Sequence, residues 1–323
     1  MTDLTPQEQI QHAASALSTI PATLSGAQPP PTSLTKGLND KMSPGPIRYL
    51  DTATAYDLWS EVYDTDGNFL QALDNIEMPM LLLRAISLIK FEDGNFDTER
   101  DPEIKAVDLG CGTGRNMLRL LEAPEIRSIV GLELSPKMME IARPRCETRL
   151  QEIRSATQAT AEPRKTLDLH FETFNMLAEP IPAIGRNADL LISTLVLEHI
   201  PLKSFFTTVS SLLRPGGILV LTNMHDEMGR ISQAGFVDPR TGEKIRPTSY
   251  AHNVRETVEA AVEAGFELVG VGGDGDWKEG GVKEVCVDEE LAIRLGVRGR
   301  KWIGVRVWFG GIWRKRGEGE VIL

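Results

Sequence analysis

The order of apolar and polar segments predicts an α/β protein built on a mostly parallel sheet. Three observations carry that prediction. Short apolar runs alternate with helix-like segments through the middle of the chain. The first run opens into three glycines at alternate positions, Gly110, Gly112 and Gly114, as a tight strand-to-helix turn requires. A later helix stops at Arg214-Pro215-Gly216-Gly217, immediately before another apolar run.

Taken in order, the first strand is the run ending Ala106-Val107-Asp108-Leu109, and Ser128 to Leu134 is the second. Ser135 then caps a helix with Pro136 at its first position. Leu167 to Phe174 reads as a third strand, followed by Asn175-Met176, and Glu147 to Thr166 before it reads as a helix extension and surface loop. Ala188 to Leu195 is a buried fourth strand leading into Val196-Leu197-Glu198-His199-Ile200-Pro201. Phe205, Val209, Leu212 and Leu213 share a face of the next helix, and Ile218 to Met224 is the fifth strand. A long connection from His225 to Tyr250 follows, where connections of this length are commonly functional. Asn253 and Glu256 form a capping box for a helix whose stripe is Val254, Val258 and Val262, with Gly265 as its stop. Phe266 to Val271 and the alternating Lys301 to Phe309 complete the strands, with a helix across Asp288 to Leu295 between them.

The glycine turn specifies a ligand class. Asp108 precedes Gly110 by two residues, and a carboxylate fixed there repels a pyrophosphate but suits an ammonium or sulfonium cation. Glu133 follows about 20 residues beyond the turn, where an acid accepts hydrogen bonds from both ribose hydroxyls. The spacing is G-x-G-x-G, not the G-x-G-x-x-G of dinucleotide enzymes, and no Lys-Ser/Thr pair follows as in a P-loop. S-adenosylmethionine fits this pattern, whereas NAD and ATP fit it poorly. The alternative is a tight turn flanked by acids with no ligand.

With D-L-G-C-G-T-G, G-L-E-L-S-P-K-M, the strand into L-E-H-I-P, and L-L-R-P-G-G-I-L-V-L in view, residues 50 to 270 resemble the class I S-adenosylmethionine-dependent methyltransferases. The likeness is nearest to the small-molecule branch that includes quinone-biosynthesis enzymes. It implies a Rossmann-like seven-stranded, mostly parallel sheet with an antiparallel last strand and helices on both faces. It sets Gly110, Gly112 and Gly114 against the methionine moiety with Asp108 near its amino group, and Glu133 and Leu134 at the ribose. Asn175 and Met176 fall beside the adenine, and Thr194–Leu195 near the methionine end. Many relatives carry aspartate where this chain has Asn175, whose amide oxygen can still accept from the adenine amino group. The Tyr56-Asp57-Leu58-Trp59…Tyr63-Asp64 segment resembles one that packs over the cofactor; Tyr56 and Tyr63 either close the pocket or pin their helix to the core.

Methyl transfer from a sulfonium needs proximity and orientation more than side-chain chemistry, and a base only when a hydroxyl must lose its proton. Of the five histidines, His12 lies in the tail and His170 within a strand. His225, at the carboxyl end of the fifth strand, is the first candidate base. His252 stands where many relatives carry a pocket histidine, and His199 in the L-E-H-I segment fits a structural or substrate-binding role.

Composition bounds the rest. The 323 residues and 41% hydrophobic content allow one large domain with a substantial core. Residues 1–47, rich in Pro, Ser, Thr and Gln, read as a disordered tail with a possible helix over Gln7 to Leu17, and order is expected from Ala55. Residues 48–323 read as the methyltransferase domain, with its cofactor half at about 100–200 and acceptor-side elements at about 50–95 and 225–300. A net charge of −11 opposes a nucleic-acid footprint, and Arg298, Arg300, Lys301 and Arg314-Lys315-Arg316 read as solvated faces. The polar Ser193-Thr194-Leu195-Val196 also differs from the Pro-Pro-Tyr signature of nucleic-acid amine methyltransferases. Three scattered cysteines show no metal-ligand spacing, no apolar run of membrane-spanning length occurs, and no signal peptide opens the chain, so a cytoplasmic enzyme without metal is expected. The functions left open are methylation of a small-molecule acceptor, methylation of a protein or a regulatory role, and a methyltransferase fold repurposed for another reaction such as cyclisation. Oligomeric state is not legible.

Overall fold

The computed structural model describes residues 46–91, 103–158, 166–269 and 281–317. The expected tail up to residue 45, its Gln7–Leu17 helix, and most of the Gly-rich stretch before residue 281 lie outside the described residues. Order begins earlier than expected: β1 (Ile47–Tyr49) precedes α1 (Thr52–Trp59) and α2 (Phe69–Phe91). β1 pairs in parallel with a strand nearly two hundred positions away, a contact that local composition does not encode.

The central unit then alternates as expected: β2 (Ile104–Leu109), α3 (Arg115–Glu122), β3 (Ile126–Glu133), α4 (Pro136–Gln158), β4 (Asp168–Thr173), β5 (Ala188–Thr194), α5 (Leu202–Leu212) and β6 (Leu213–Met224). After α6 (Asp226–Ile231) come β7 (Phe236–Val237), β8 (Lys244–Arg246), α7 (Val254–Glu263), β9 (Phe266–Leu268), β10 (Val282–Cys286), α8 (Glu289–Arg294) and β11 (Arg306–Lys315). The main sheet runs β10-β11-β6-β5-β2-β3-β4, with β9 also paired to β11, and so has eight strands instead of the expected seven. β2 to β6 are mutually parallel, while β9, β10 and β6 each pair antiparallel with β11. β1, β8 and β7 form a separate three-stranded sheet.

Successive side chains of a strand face opposite layers, and this alternation divides the core. Ala106, Ile129, Leu190, Ile192, Ile218 and Val220 pack with α2, α3 and α4 on one face. Val107, Leu109, Val130, Leu132, Leu191, Leu219 and Leu221 pack with α5 and α7 on the other. On α5, Phe205, Phe206, Val209 and Leu212 are fully buried, each worth roughly 1.5–3 kcal/mol of apolar transfer. The Ser135 cap forms as expected, its Oγ accepting from Met138 N–H at 3.1 Å, and Asn253 accepts from Glu256 N–H at 2.8 Å. The α7 stripe is corrected: Thr257 and Ala261 are its buried residues, with Val254, Val258 and Val262 only half-buried.

β11 begins five residues later than the alternation implied and runs through Gly310-Gly311. Those glycines look like a strand terminus in sequence, yet they are seats for indoles. A Cβ on Gly310 would strike the Trp308 ring, and one on Gly311 would come within 2.7 Å of Trp313 Cη2. β10 escaped the sequence reading because its partner strand had been placed too early.

Asp74 on α2 is fully buried and takes three donors. Its Oδ1 accepts from Thr222 Oγ1 at 2.6 Å and Trp308 Nε1 at 3.1 Å, and its Oδ2 from Arg115 Nη2 at 2.6 Å. Pro79, inside α2, has no amide to offer the Asn75 carbonyl, and Arg119 Nη2 donates to that oxygen at 3.4 Å instead. Asp74→Ala strands the Arg115 guanidinium, so denaturant unfolding is expected to show a loss of about 3–5 kcal/mol. A loss near zero would mean that solvent replaces the carboxylate at no cost.

Candidate active site

Ligands of open parallel sheets bind outside the carboxyl ends of the strands, where the strand order reverses. Here that point lies between β2, which leads toward β3 and β4, and β5, which leads toward β6. A cavity of about 290 Å³ sits there. Gly110, Gly112, Glu133, Leu134, Asn175, Met176, Thr194, Leu195 and Tyr63 line it, so nine of the eleven positions expected to hold the cofactor converge on one space. Asp108 and Gly114 do not line it: Asp108 is buried behind the turn, and Gly114 caps α3 against Cys146 and Ala142.

Gly110 adopts φ 77°, and a Cβ there would collide with Val196. Gly112 N–H donates to Glu133 Oε2 at 2.9 Å, while Glu133 Oε1 accepts from Ser135 N–H at 2.9 Å. Glu133 therefore clasps the turn, with lone pairs remaining on both oxygens. Burial raises its pKa, and the backbone N–H groups of Ser135, Gly112 and Leu134 pull it back down. Asp108 has no such help: both its oxygens are buried without a hydrogen-bond partner among the described residues. Burial pushes its pKa up to about 7, against the lowering effect of Arg115. An orphaned carboxylate behind a glycine turn is the environment a cationic ligand would correct. Asn175 Oδ1 accepts from Leu177 N–H at 3.0 Å, a local turn that sets Met176 and Leu177 on the wall.

The Tyr-Asp pairs of the amino-terminal segment divide their work. Asp57 accepts from Ser135 Oγ at 2.5 Å and Asp64 from Thr113 Oγ1 at 2.8 Å, so the carboxylates pin α1 and the residues after it to the two turns. Tyr56 and Tyr63 meanwhile line the cavity. His199 Nδ1–H donates to Thr248 O at 2.6 Å, which leaves Nε2 to accept the Tyr56 hydroxyl proton at 2.8 Å. Burial lowers the His199 pKa to about 4, so the ring stays neutral and positions Tyr56.

Tyr56, Tyr63 and Leu195 also line a second cavity, of about 100 Å³, closed by Met228, Gln233, Gly235 and Lys244 from the long connection. The fully described wall includes Glu198, buried, with Oε2 lacking any partner among the described residues. Burial raises its pKa to about 7, against the lowering effect of the Met224 backbone N–H. Glu198 was legible only as part of the L-E-H-I motif; its orphaned oxygen was not.

Of the candidate bases, His199 lines the first of these two cavities, and His225 and His252 line neither. His225 Nδ1 accepts from Glu227 N–H at 3.1 Å, capping α6, and its Nε2–H donates to Glu284 at 3.1 Å. Glu284 stands on β10, a strand that the sequence reading does not contain, so this engagement is not legible in the sequence. His252 Nε2–H donates to the Ile200 carbonyl at 2.9 Å, and its ring stacks on Tyr250 at 5.2 Å. Both rings are committed outside the two cavities. Among the described residues no group of three or more metal-binding side chains occurs, and no helix is long and apolar enough to cross a membrane.

The family model of a methyltransferase domain matches residues 107–219, the segment that carries the glycine turn, Glu133 and β5. An uncharacterized methyltransferase of Emericella nidulans is 46% identical over 270 residues, which cover 82% of this chain and 91% of that protein. A ubiquinone biosynthesis O-methyltransferase of Rhizobium rhizogenes is 28% identical over 148 residues, 42% of this chain and half of its own length. A solved S-adenosylmethionine-dependent methyltransferase of Mesorhizobium loti shares 20% identity at a TM-score of 0.44, covering 66% of this chain and 92% of its own. Extended similarity to the Emericella protein, together with the domain match over the glycine turn, identifies the chain as a member of the S-adenosylmethionine-dependent methyltransferases.

Proposed function

We propose that this enzyme methylates a small molecule held in the second cavity. The observation that carries the reading is that the two cavities share Tyr56, Tyr63 and Leu195 as a common wall. Two ligands, one on each side of that wall, are brought together without crossing bulk solvent. When bound, S-adenosylmethionine would supply a sulfonium methyl for in-line transfer to the nucleophile, its C–S bond breaking so that the sulfur leaves as the neutral thioether of S-adenosylhomocysteine.

The chain's own residues orient and dehydrate the pair. Glu133 offers its remaining lone pairs to the ribose, and Asp108 provides the negative charge behind the turn. Tyr56, locked by neutral His199, and Tyr63 exclude water from the junction. Glu198 takes the proton of a hydroxyl or amine nucleophile onto its free Oε2; its raised pKa places the transition between acid and carboxylate close to neutrality.

Three outcomes follow from these assignments. Calorimetric titration should show binding of S-adenosylmethionine and S-adenosylhomocysteine, with Glu133→Ala weakening both about tenfold or more, since a charge-assisted hydrogen bond contributes about 1.5–3 kcal/mol. Unchanged affinity in a folded variant would defeat the ribose assignment.

Asp108 in the free protein carries a proton below its pKa of about 7, and a bound cation favours the ionised form. Binding below neutrality must therefore release a proton, so affinity should rise with pH through about 7 and level off above it. Titrations in buffers of different ionisation enthalpy read the proton directly, and Asp108→Asn should give weak binding with a flat pH profile.

Glu198→Gln should lower kcat by about 10²–10⁴ with little change in cofactor affinity. In the parent enzyme, kcat should rise as Glu198 ionises near pH 7. An unaltered kcat in the glutamine variant would remove Glu198 from the proton path.

A further inference from the structure

The second cavity has a chemistry of its own beyond its position next to the cofactor. Its cations come from two distant parts of the chain: Lys244 on β8, and Arg298 and Lys301 in the segment before β11. Arg298 and Lys301 are exposed, Lys244 is half-buried, and Glu198 and Trp302 are buried. The charge therefore lies at the solvent end and Glu198 at the inner end.

Asp66 is the acid closest to these cations on the cavity wall, and it is already engaged. It accepts from Trp59 Nε1 at 2.8 Å and Asn68 N–H at 2.9 Å, and stands 3.9 Å from Arg298. Lys244 and Lys301 have no carboxylate partner among the described residues; Lys301 instead sits over the Trp302 ring at 4.8 Å. The crowding is felt at Lys244, whose pKa is lowered first by burial and then by Arg246, Lys301 and Arg298. Such a cluster is conspicuous in a chain of net charge −11. A separate observation points the same way. The indole N–H of Trp302, a residue of this wall, is buried without a hydrogen-bond partner among the described residues. A buried unmet donor costs roughly 1–3 kcal/mol, which a ligand oxygen would recover.

We propose that the methyl acceptor is an organic acid: its carboxylate or phosphate is held by Lys244, Lys301, Arg298 and the Trp302 indole N–H, and its nucleophile faces Glu198 at the junction. This rests on the reading of the second cavity as the acceptor site. The apolar stretch between the two ends, with Phe69, Leu70 and Met228 on the wall, receives the body of the molecule. A cavity near 100 Å³ suits one of about ring size. Opposite charges at the two ends orient the acceptor: its anion is repelled from Glu198 and drawn to the cations, so the nucleophilic end enters first.

Benzoate, phenyl phosphate and neutral benzyl alcohol serve as probes, titrated into the full chain saturated with S-adenosylhomocysteine and read by tryptophan fluorescence and calorimetry. At least one anion should bind tenfold or more tightly than benzyl alcohol, with affinity falling as salt rises. The preferred anion identifies carboxylate or phosphate as the recognised group. The double variant Lys244→Gln/Lys301→Gln should lose at least tenfold in anion affinity while binding S-adenosylhomocysteine as the parent does, which also certifies its fold. Anions that bind no better than benzyl alcohol, or equally well in the double variant, overturn the proposal. If S-adenosylhomocysteine itself does not bind, the methyl-transfer reading fails first; if it binds and the anions do not, only the acid-acceptor reading fails.

Discussion

A single buried carboxylate holds the two halves of this molecule in register. Asp74 projects from α2 and grips Arg115 of α3 at 2.6 Å, Thr222 of β6 at 2.6 Å and Trp308 of β11 at 3.1 Å. Arg115 begins the helix that the glycine turn opens, so its ion pair transmits the position of α2 to the cofactor loop. Arg115 and Asn116 also donate to Thr194 Oγ1, at 3.3 and 2.9 Å, which ties the end of β5 into the same network. A fully buried charge is tolerable when it is paired and hydrogen-bonded, and here one carboxylate meets that condition through donors from three other elements, α3, β6 and β11.

Against that fixed frame, three carboxylates near the cavities differ through their surroundings alone. Glu133 accepts backbone N–H groups that offset its burial. Asp108 and Glu198 keep oxygens with no hydrogen-bond partner among the described residues, and burial carries each pKa to about 7. Both sit at a point of balance that a neighbouring ligand can tip. A cation behind the glycine turn tips Asp108 toward ionisation, whereas a protic nucleophile beside Glu198 gives it a proton to take. One fold thus gives the same functional group different proton affinities by choosing which donors to supply, and the proposed electrostatic and proton-accepting roles rest on that difference.

Local chemistry made the cofactor side legible in sequence. Gly110, Asp108 and Glu133 are read from spacing because a strand, a tight turn and the next strand fix their relative positions within one βαβ unit. Asn175–Met176 and Thr194–Leu195 come from the family resemblance alone, and the structure brings them to the same cavity at the carboxyl ends of β4 and β5. The second cavity obeys no such rule. Lys244, Arg298 and Trp302 meet through long-range packing, with β1 against β8 and Phe69 stacked on Trp302 at 5.7 Å. His225 looked catalytic because it ends a strand, but its ring faces Glu284 of β10, an edge strand hidden by the misread start of β11. The basic residues read as solvated faces separate in the same way: Arg298 and Lys301 line a cavity that sequence spacing alone could not reveal.

Leu195 joins these threads. It is a non-glycine residue at φ 58°, a conformation that costs about 1–3 kcal/mol, and it stands on the wall common to both cavities. Its N–H donates to the Thr222 carbonyl at 2.9 Å, and the Thr222 hydroxyl donates to Asp74. The strained residue is therefore tethered to the most constrained carboxylate in the molecule through one threonine. Without that tether, the backbone after β5 would relax toward an ordinary extended or helical geometry and carry Leu195 and Val196 with it. Val196 packs over Gly110, so the relaxation would reach the glycine turn as well. The strain at the junction is sustained by burial elsewhere, which holds Leu195 on the wall common to both cavities.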